Sequence, residues 1–77
     1  MTIKLHKDAE KYLAYLSEKQ RTRILKAINK LPNGDIVPLK GRQPEMRLRV
    51  GDYRIIFEYM NDTAYILEIG NRGDIYK

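Results

Sequence analysis

Two spacings of apolar residues divide the chain near Pro32. Upstream, Ala9, Tyr12, Leu13 and Leu16 fall at i, i+3, i+4 and i+7, the single stripe of an amphipathic helix. Ser17-Glu18-Lys19-Gln20 then has the pattern of a capping box, in which the serine hydroxyl accepts the third amide and Gln20 reaches back. A second helix is predicted to bury Ile24, Ile28 and Leu31 and to expose Arg21, Arg23, Lys26 and Lys30. Pro32-Asn33-Gly34 ends it, because proline disfavours helical geometry in the residue before it and glycine takes positive φ cheaply. Ahead of both helices, Thr2 to Leu5 places Ile3 and Leu5 on one side of a short first strand.

Downstream the period shortens to two. Asp35 to Leu39 is a short strand that Pro38 limits to an edge or an end. Glu45 to Val50 alternates strictly, with Met46, Leu48 and Val50 on one side and Arg47 and Arg49 on the other. Gly51-Asp52 makes a tight turn into Tyr53 to Met60. Asn61-Asp62 suits a two-residue hairpin, since both residues tolerate positive φ, and Thr63 to Ile69 returns, ending at Gly70. The expected fold is α+β, an antiparallel helical hairpin packed on one face of a small antiparallel β-sheet.

Strand parity then sorts the charges. If the helices cover Met46, Leu48 and Val50, then Arg47 and Arg49 face away from them. Covering Tyr53, Ile55, Phe57 and Tyr59 sends Arg54, Ile56 and Glu58 to that open face, and covering Tyr65, Leu67 and Ile69 sends Ile66 and Glu68 there. Arg72 and Tyr76 follow just beyond the last strand. Four arginines are thus expected on one surface, and no lysine joins them on these strands. Arginine offers a planar fork for bidentate phosphate contacts, where lysine is a point charge. The plainer alternative is a solvated face on which Glu58 and Glu68 pair some of the arginines.

At 77 residues the chain is expected to be one domain, residues 1–77, with a small core. Fifteen Lys and Arg against ten Asp and Glu give a formal charge of +5, a balance that favours polyanionic partners through counterion release. There is no cysteine, hence no disulfide framework and no thiolate metal site. No His, Asp and Glu cluster has metal-ligand spacing, so neither metal nor cofactor is expected. No apolar run approaches membrane-spanning length, and Met-Thr-Ile-Lys-Leu-His-Lys is not a signal sequence; the expected location is cytoplasmic, with no membrane partner. His6, the only histidine, stands where the first helix begins and fits a capping or surface role better than catalysis. The tyrosine pairs Tyr12/Tyr15 and Tyr53/Tyr59 fit helix packing or the core better than base stacking.

Three segments carry a resemblance. Leu39-Lys40-Gly41, the run from Met46 through Arg47, Leu48, Arg49, Val50, Gly51, Asp52, Tyr53 and Arg54 to Glu58, and the run Leu67-Glu68-Ile69-Gly70-Asn71-Arg72 closing on Ile75-Tyr76 are similar to the RelE/ParE superfamily of toxin–antitoxin toxins. With the helical hairpin, the resemblance covers nearly the whole chain. It implies a RelE-like, microbial-RNase-like sheet. RelE-like members cut messenger RNA in the ribosomal A site without a metal, whereas ParE-like members poison DNA gyrase. Carried over by motif, the resemblance implies catalytic roles for Arg47, Arg49, Arg54, Arg72 and Tyr76, and RNA binding by Lys40, Arg42, Arg47 and Arg49.

Metal-free RNA cleavage needs a base for the ribose 2′-hydroxyl and charge stabilisation for the phosphorane-like transition state. Arg54 and Arg72 suit the second task, and Arg47 and Arg49 suit backbone positioning. Arginine does not deprotonate, which leaves the protons to Tyr76, whose pKa a flanking cation can lower, or to substrate positioning within the ribosome. Many relatives carry histidine where this chain has Asn71, and some carry lysine where Arg47 and Arg49 stand. The implied partners are a cognate antitoxin with an acidic or amphipathic segment, mRNA and the ribosome, and operator DNA only through the antitoxin. A gyrase inhibitor and a non-toxic antitoxin-binding homologue are the alternatives.

Overall fold

A computed structural model of the protein describes residues 1–71. In chain order the elements are β1 (Thr2–Leu5), α1 (Lys7–Tyr15), α2 (Glu18–Asn29), β2 (Asp35–Pro38), β3 (Met46–Val50), β4 (Tyr53–Met60) and β5 (Thr63–Asn71). Their boundaries follow from local chemistry. His6 caps α1, its Nδ1 accepting the Asp8 amide at 3.3 Å. Ser17 and Gln20 close the capping box of α2: the Gln20 amide donates to Ser17 Oγ and the Ser17 amide to Gln20 Oε1, each at 3.2 Å. Arg21 does not stand in solvent as the helical stripe predicts. Its Nε donates to the Leu13 carbonyl at 2.9 Å, beside the Leu16 amide at 3.2 Å, and its Nη2 to the Leu16 carbonyl at 2.8 Å, so the guanidinium closes the C-terminal end of α1.

The sheet order is β1-β5-β4-β3-β2. The four later strands are antiparallel, as the alternation predicts, while β1 joins the far edge parallel to β5, with Thr2 opposite Thr63 and Leu5 opposite Ile66. The helices cover one face. Ala9, Leu13, Leu16, Ile24, Ile28 and Leu31 meet Leu48, Tyr53, Ile55, Phe57, Ala64, Ile66 and Ile69 in one buried cluster. Asn61 and Asp62 both take positive φ, 51° and 61°, in the β4–β5 turn, the twist-matched geometry a two-residue hairpin favours.

One strand departs from simple parity. Ile56 lies opposite Glu68, but Phe57 lies opposite Ile66, so Leu67 is an extra residue in the β4–β5 ladder. The bulge reverses the faces of β5 before it. Ile66, expected on the open face, is buried in the core with Ala64, and Tyr65, expected beneath the helices, is opposite Glu58. Ile69, beyond the bulge, stays in the core, and Glu68 stays on the open face. Tyr59 is also less covered than parity predicts. It is 38% exposed and packs edge-on against Phe57 at 5.3 Å between centroids, where the helices do not reach.

Candidate functional site

The face away from the helices carries the arginines, and register fixes their neighbours. Arg49 on β3 lies opposite Arg54 on β4, which lies opposite Gly70 on β5; Arg47 lies opposite Ile56, which lies opposite Glu68. Directly opposed like charges on one face destabilise a sheet. The chain nonetheless sets Arg49 and Arg54 face to face, and Arg54 is only 6% exposed. Its Nη1 donates to the carbonyls of Gly51 at 3.4 Å and Tyr53 at 3.3 Å, and among the described residues no carboxylate pairs with it or with Arg49. A buried guanidinium held by two long carbonyl contacts keeps donors and charge to offer an anion.

Two other arginines on this side are already answered. Arg47 Nη2 lies 3.5 Å from Asp35 Oδ1, and its Nε is buried without a partner. Arg42, expected to bind RNA, is held by two carboxylates: its Nη2 lies 2.7 Å from Glu45 Oε1 and 3.4 Å from Glu68 Oε2. Partial burial works against the Arg42 charge, yet Glu45 and Glu68 outweigh it and raise its pKa above the ordinary value. Because Glu68 stands on β5, this contact carries the segment 39–45 from β2 across the open face. Ile56, on that face and outside the helical core, is fully buried, and Leu39 at the base of the segment is 9% exposed. The surface left free by the helices is therefore partly roofed. Lys40 is exposed at the start of the roof.

Of the residues expected in the site, Arg47, Arg49 and Arg54 share one face, with Arg49 and Arg54 adjacent; Arg72 and Tyr76 lie outside the described residues. One further cation escaped sequence reasoning. Arg23 on α2 packs against the Gly51 turn: a Cβ built at Gly51 would sit 2.5 Å from Arg23 Nη2 and 3.0 Å from its Cζ. Gly51 has φ +60°, so glycine is needed there both for the turn and for the guanidinium above it. Arg23 reads as one more exposed helix cation until the turn beneath it is located. Arg23, Arg49 and Arg54 thus approach one turn from a helix and two strands.

The chain matches, over residues 3–76, the family model described as the ParE toxin of type II toxin–antitoxin system, parDE. No curated protein matches it. Among solved structures, the RelB–RelE antitoxin–toxin complex from Methanococcus jannaschii matches with TM-score 0.78 and 29% identity, covering 95% of this chain and 94% of that one. The RelE–RelB complex from Pyrococcus horikoshii OT3 matches with TM-score 0.74 and 27% identity over 95% and 96%. The RelBE2 complex from Mycobacterium tuberculosis, at 21% identity, TM-score 0.77 and coverage of 95% and 92%, is similar in fold. Two helices on a five-stranded sheet, an arginine-bearing open face and a family match across nearly every residue agree: the chain belongs to the ParE toxin family, within the RelE/ParE superfamily, and is a toxin of a type II toxin–antitoxin system.

Proposed function

We propose that this toxin is a metal-independent mRNA endoribonuclease acting on the ribosome. The observation that carries the reading is the opposed pair Arg49 and Arg54, free of carboxylates among the described residues, one of them almost fully buried. In the reaction, the ribose 2′-hydroxyl attacks the adjacent phosphate and the 5′-oxygen leaves. Negative charge grows on the non-bridging oxygens, and fixed donors aimed at that charge in a partly dry site are worth more than in water. Arg54 supplies that stabilisation, with Arg72 as the second cation. Arg49 holds the backbone. Arg47, oriented by Asp35, positions the flanking phosphate, with Lys40 outside it. Tyr76 takes the 2′-hydroxyl proton as a phenolate, and water protonates the departing 5′-oxygen.

The similar proteins of Methanococcus jannaschii and Pyrococcus horikoshii are antitoxin–toxin complexes, which supports a cognate antitoxin for this chain. An acidic segment laid over Arg49 and Arg54 would neutralise the charges used on RNA. Operator DNA would be reached through that antitoxin, and the place of action is the cytoplasm. No described helix is long and apolar enough to cross a membrane.

The test is cleavage in a translation extract with and without active ribosomes, comparing the wild type with Arg72→Ala and Tyr76→Phe. Transcripts cut only with the wild type and only on active ribosomes support the reading; full cutting by both variants removes the site. The family match by name to ParE favours one rival, inhibition of DNA gyrase. Purified toxin that blocks supercoiling and leaves transcripts whole would establish that rival.

A further inference from the structure

The cations of α2 do not end at Arg23. Lys19, Arg23, Lys26 and Lys30 are spaced by 4, 3 and 4 residues, one stripe on the exposed side of the helix. From Arg23 to Lys30 the stripe runs about 10 Å at 1.5 Å per residue. A cleft of about 320 Å³ opens between this stripe and the start of β2 and end of β3. Its charged lining is Arg23, Lys26 and Lys30 from the helix, Arg49 from β3, and a single carboxylate, Asp35, which is already engaged by Arg47. Among the described residues, none of the four cations has a carboxylate within ion-pair distance.

Helix electrostatics explain only part of this. Lysines near a helix C-terminus are favoured by the macrodipole, which accounts for Lys26 and Lys30. The dipole gives no reason for Arg23 to lie against Gly51, nor for Arg49 to border the same cleft. Arg49 belongs both to this cleft and to the opposed arginine pair, so the two cationic surfaces are continuous around the Gly51 end of the sheet.

We infer that the cleft between α2 and β3 is a second phosphate site, which holds the backbone of single-stranded RNA running from the Arg49–Arg54 pair around the Gly51 turn. The inference rests on the nuclease reading for the identity of the polyanion and adds the path of the substrate. Phosphates would be met in order by Arg49, Arg23, Lys26 and Lys30. These contacts carry affinity and direction but no sequence preference, since phosphates are the same at every nucleotide.

The experiment is fluorescence anisotropy with a labelled 2′-O-methyl RNA 12-mer, which lacks the attacking hydroxyl and so reports binding without cleavage. Lys26→Gln/Lys30→Gln removes two cleft cations at exposed positions with little change in helix propensity. Lys7→Gln/Lys11→Gln removes the same charge from exposed sites on α1. The first pair should bind severalfold more weakly and lower the slope of log K against log salt by about 1.4, from about 0.7 per single-strand phosphate contact. The α1 pair should keep the wild-type slope. Equal slopes in all three proteins, or equal losses in both pairs, overturn the cleft. An unchanged RNA slope with weakened binding of a labelled glutamate decapeptide also overturns it, in favour of an acidic protein segment. The cleavage assay separates the two readings. A toxin that cuts transcripts while the Lys26/Lys30 pair binds normally loses only the cleft; one that shows the expected slopes but cuts nothing loses only the nuclease.

Discussion

The two ends of β3 carry the same residue type and treat it in opposite ways. At the Met46 end, Arg47 meets Asp35, and Arg42 arches over to Glu45 and Glu68, so each charge is answered within the fold. At the Val50 end, Arg49 and Arg54 face each other and Arg23 comes down on Gly51; no described carboxylate lies within ion-pair distance of any of them, because Asp35, opposite Arg49 in the β2–β3 ladder, turns to Arg47 instead. Arginines of the first kind hold a segment in place. Those of the second kind raise the energy of the empty protein and lower it when an anion arrives. Position on the open face alone does not separate the two; their partners do.

The sharpest way to break this contrast is Arg54→Met. Removing a preorganised donor from a developing oxyanion costs about 100- to 1,000-fold in rate, and a loss of that size is expected in cleavage. Stability should move the other way. Replacing a buried charge that no carboxylate pairs by an apolar side chain of similar length removes its desolvation cost, so the thermal midpoint should hold or rise. A midpoint that falls sharply would make Arg54 a structural residue and erase the contrast. Arg49→Gln is expected to be milder, about tenfold in cleavage for one charge-assisted contact. It should stabilise the fold by up to about 1 kcal/mol by relieving its opposed neighbour, measurable by urea unfolding.

Gly51→Ala probes the helix side of the same end. Alanine at φ +60° costs about 1–2 kcal/mol, and its Cβ would displace the Arg23 guanidinium. Adding Arg23→Ala should therefore restore part of the stability lost, a positive coupling in a double-mutant cycle. Independent effects would mean that Arg23 does not bear on the turn.

Much of this was legible in the chain. Alternation places Arg47, Arg49 and Arg54 on one face because strand parity is local and no bulge interrupts β3 or the β3–β4 pairing. The capping box at Ser17 and the Asn61-Asp62 turn were legible for the same reason: each is decided within four residues. Ile66 was misplaced because a bulge is set by pairing with another strand, and no period in β5 announces the extra Leu67. The contacts of Arg21, Arg23 and Arg42 were not legible in the chain. Each is a long side chain whose partner lies on a different element, or past a turn, so helical spacing or a loop position says nothing of where its guanidinium ends. The parallel pairing of β1 with β5 joins strands about sixty residues apart, beyond any local signal.

Arg42→Gln should give the smallest effect and tests the other half of the contrast. If the paired arginines are structural, cleavage should stay close to the wild-type rate while stability falls. The fall is bounded by the exposure of the pairs. The Arg42 side chain is 43% exposed and Glu68 47%, so solvent and salt screen the attraction, and exposed pairs contribute about 0–1 kcal/mol. Because the Debye length shortens to about 3 Å at 1 M salt, the difference between wild type and variant should shrink there. Ile56 gives a second readout. If Arg42 keeps the segment 39–45 over it, amides of that segment should exchange faster in the variant while those of the helical core do not. A variant that cuts RNA tenfold more slowly with unchanged exchange would place Arg42 among the substrate contacts, and the paired end of β3 would then serve the reaction as directly as the unpaired one.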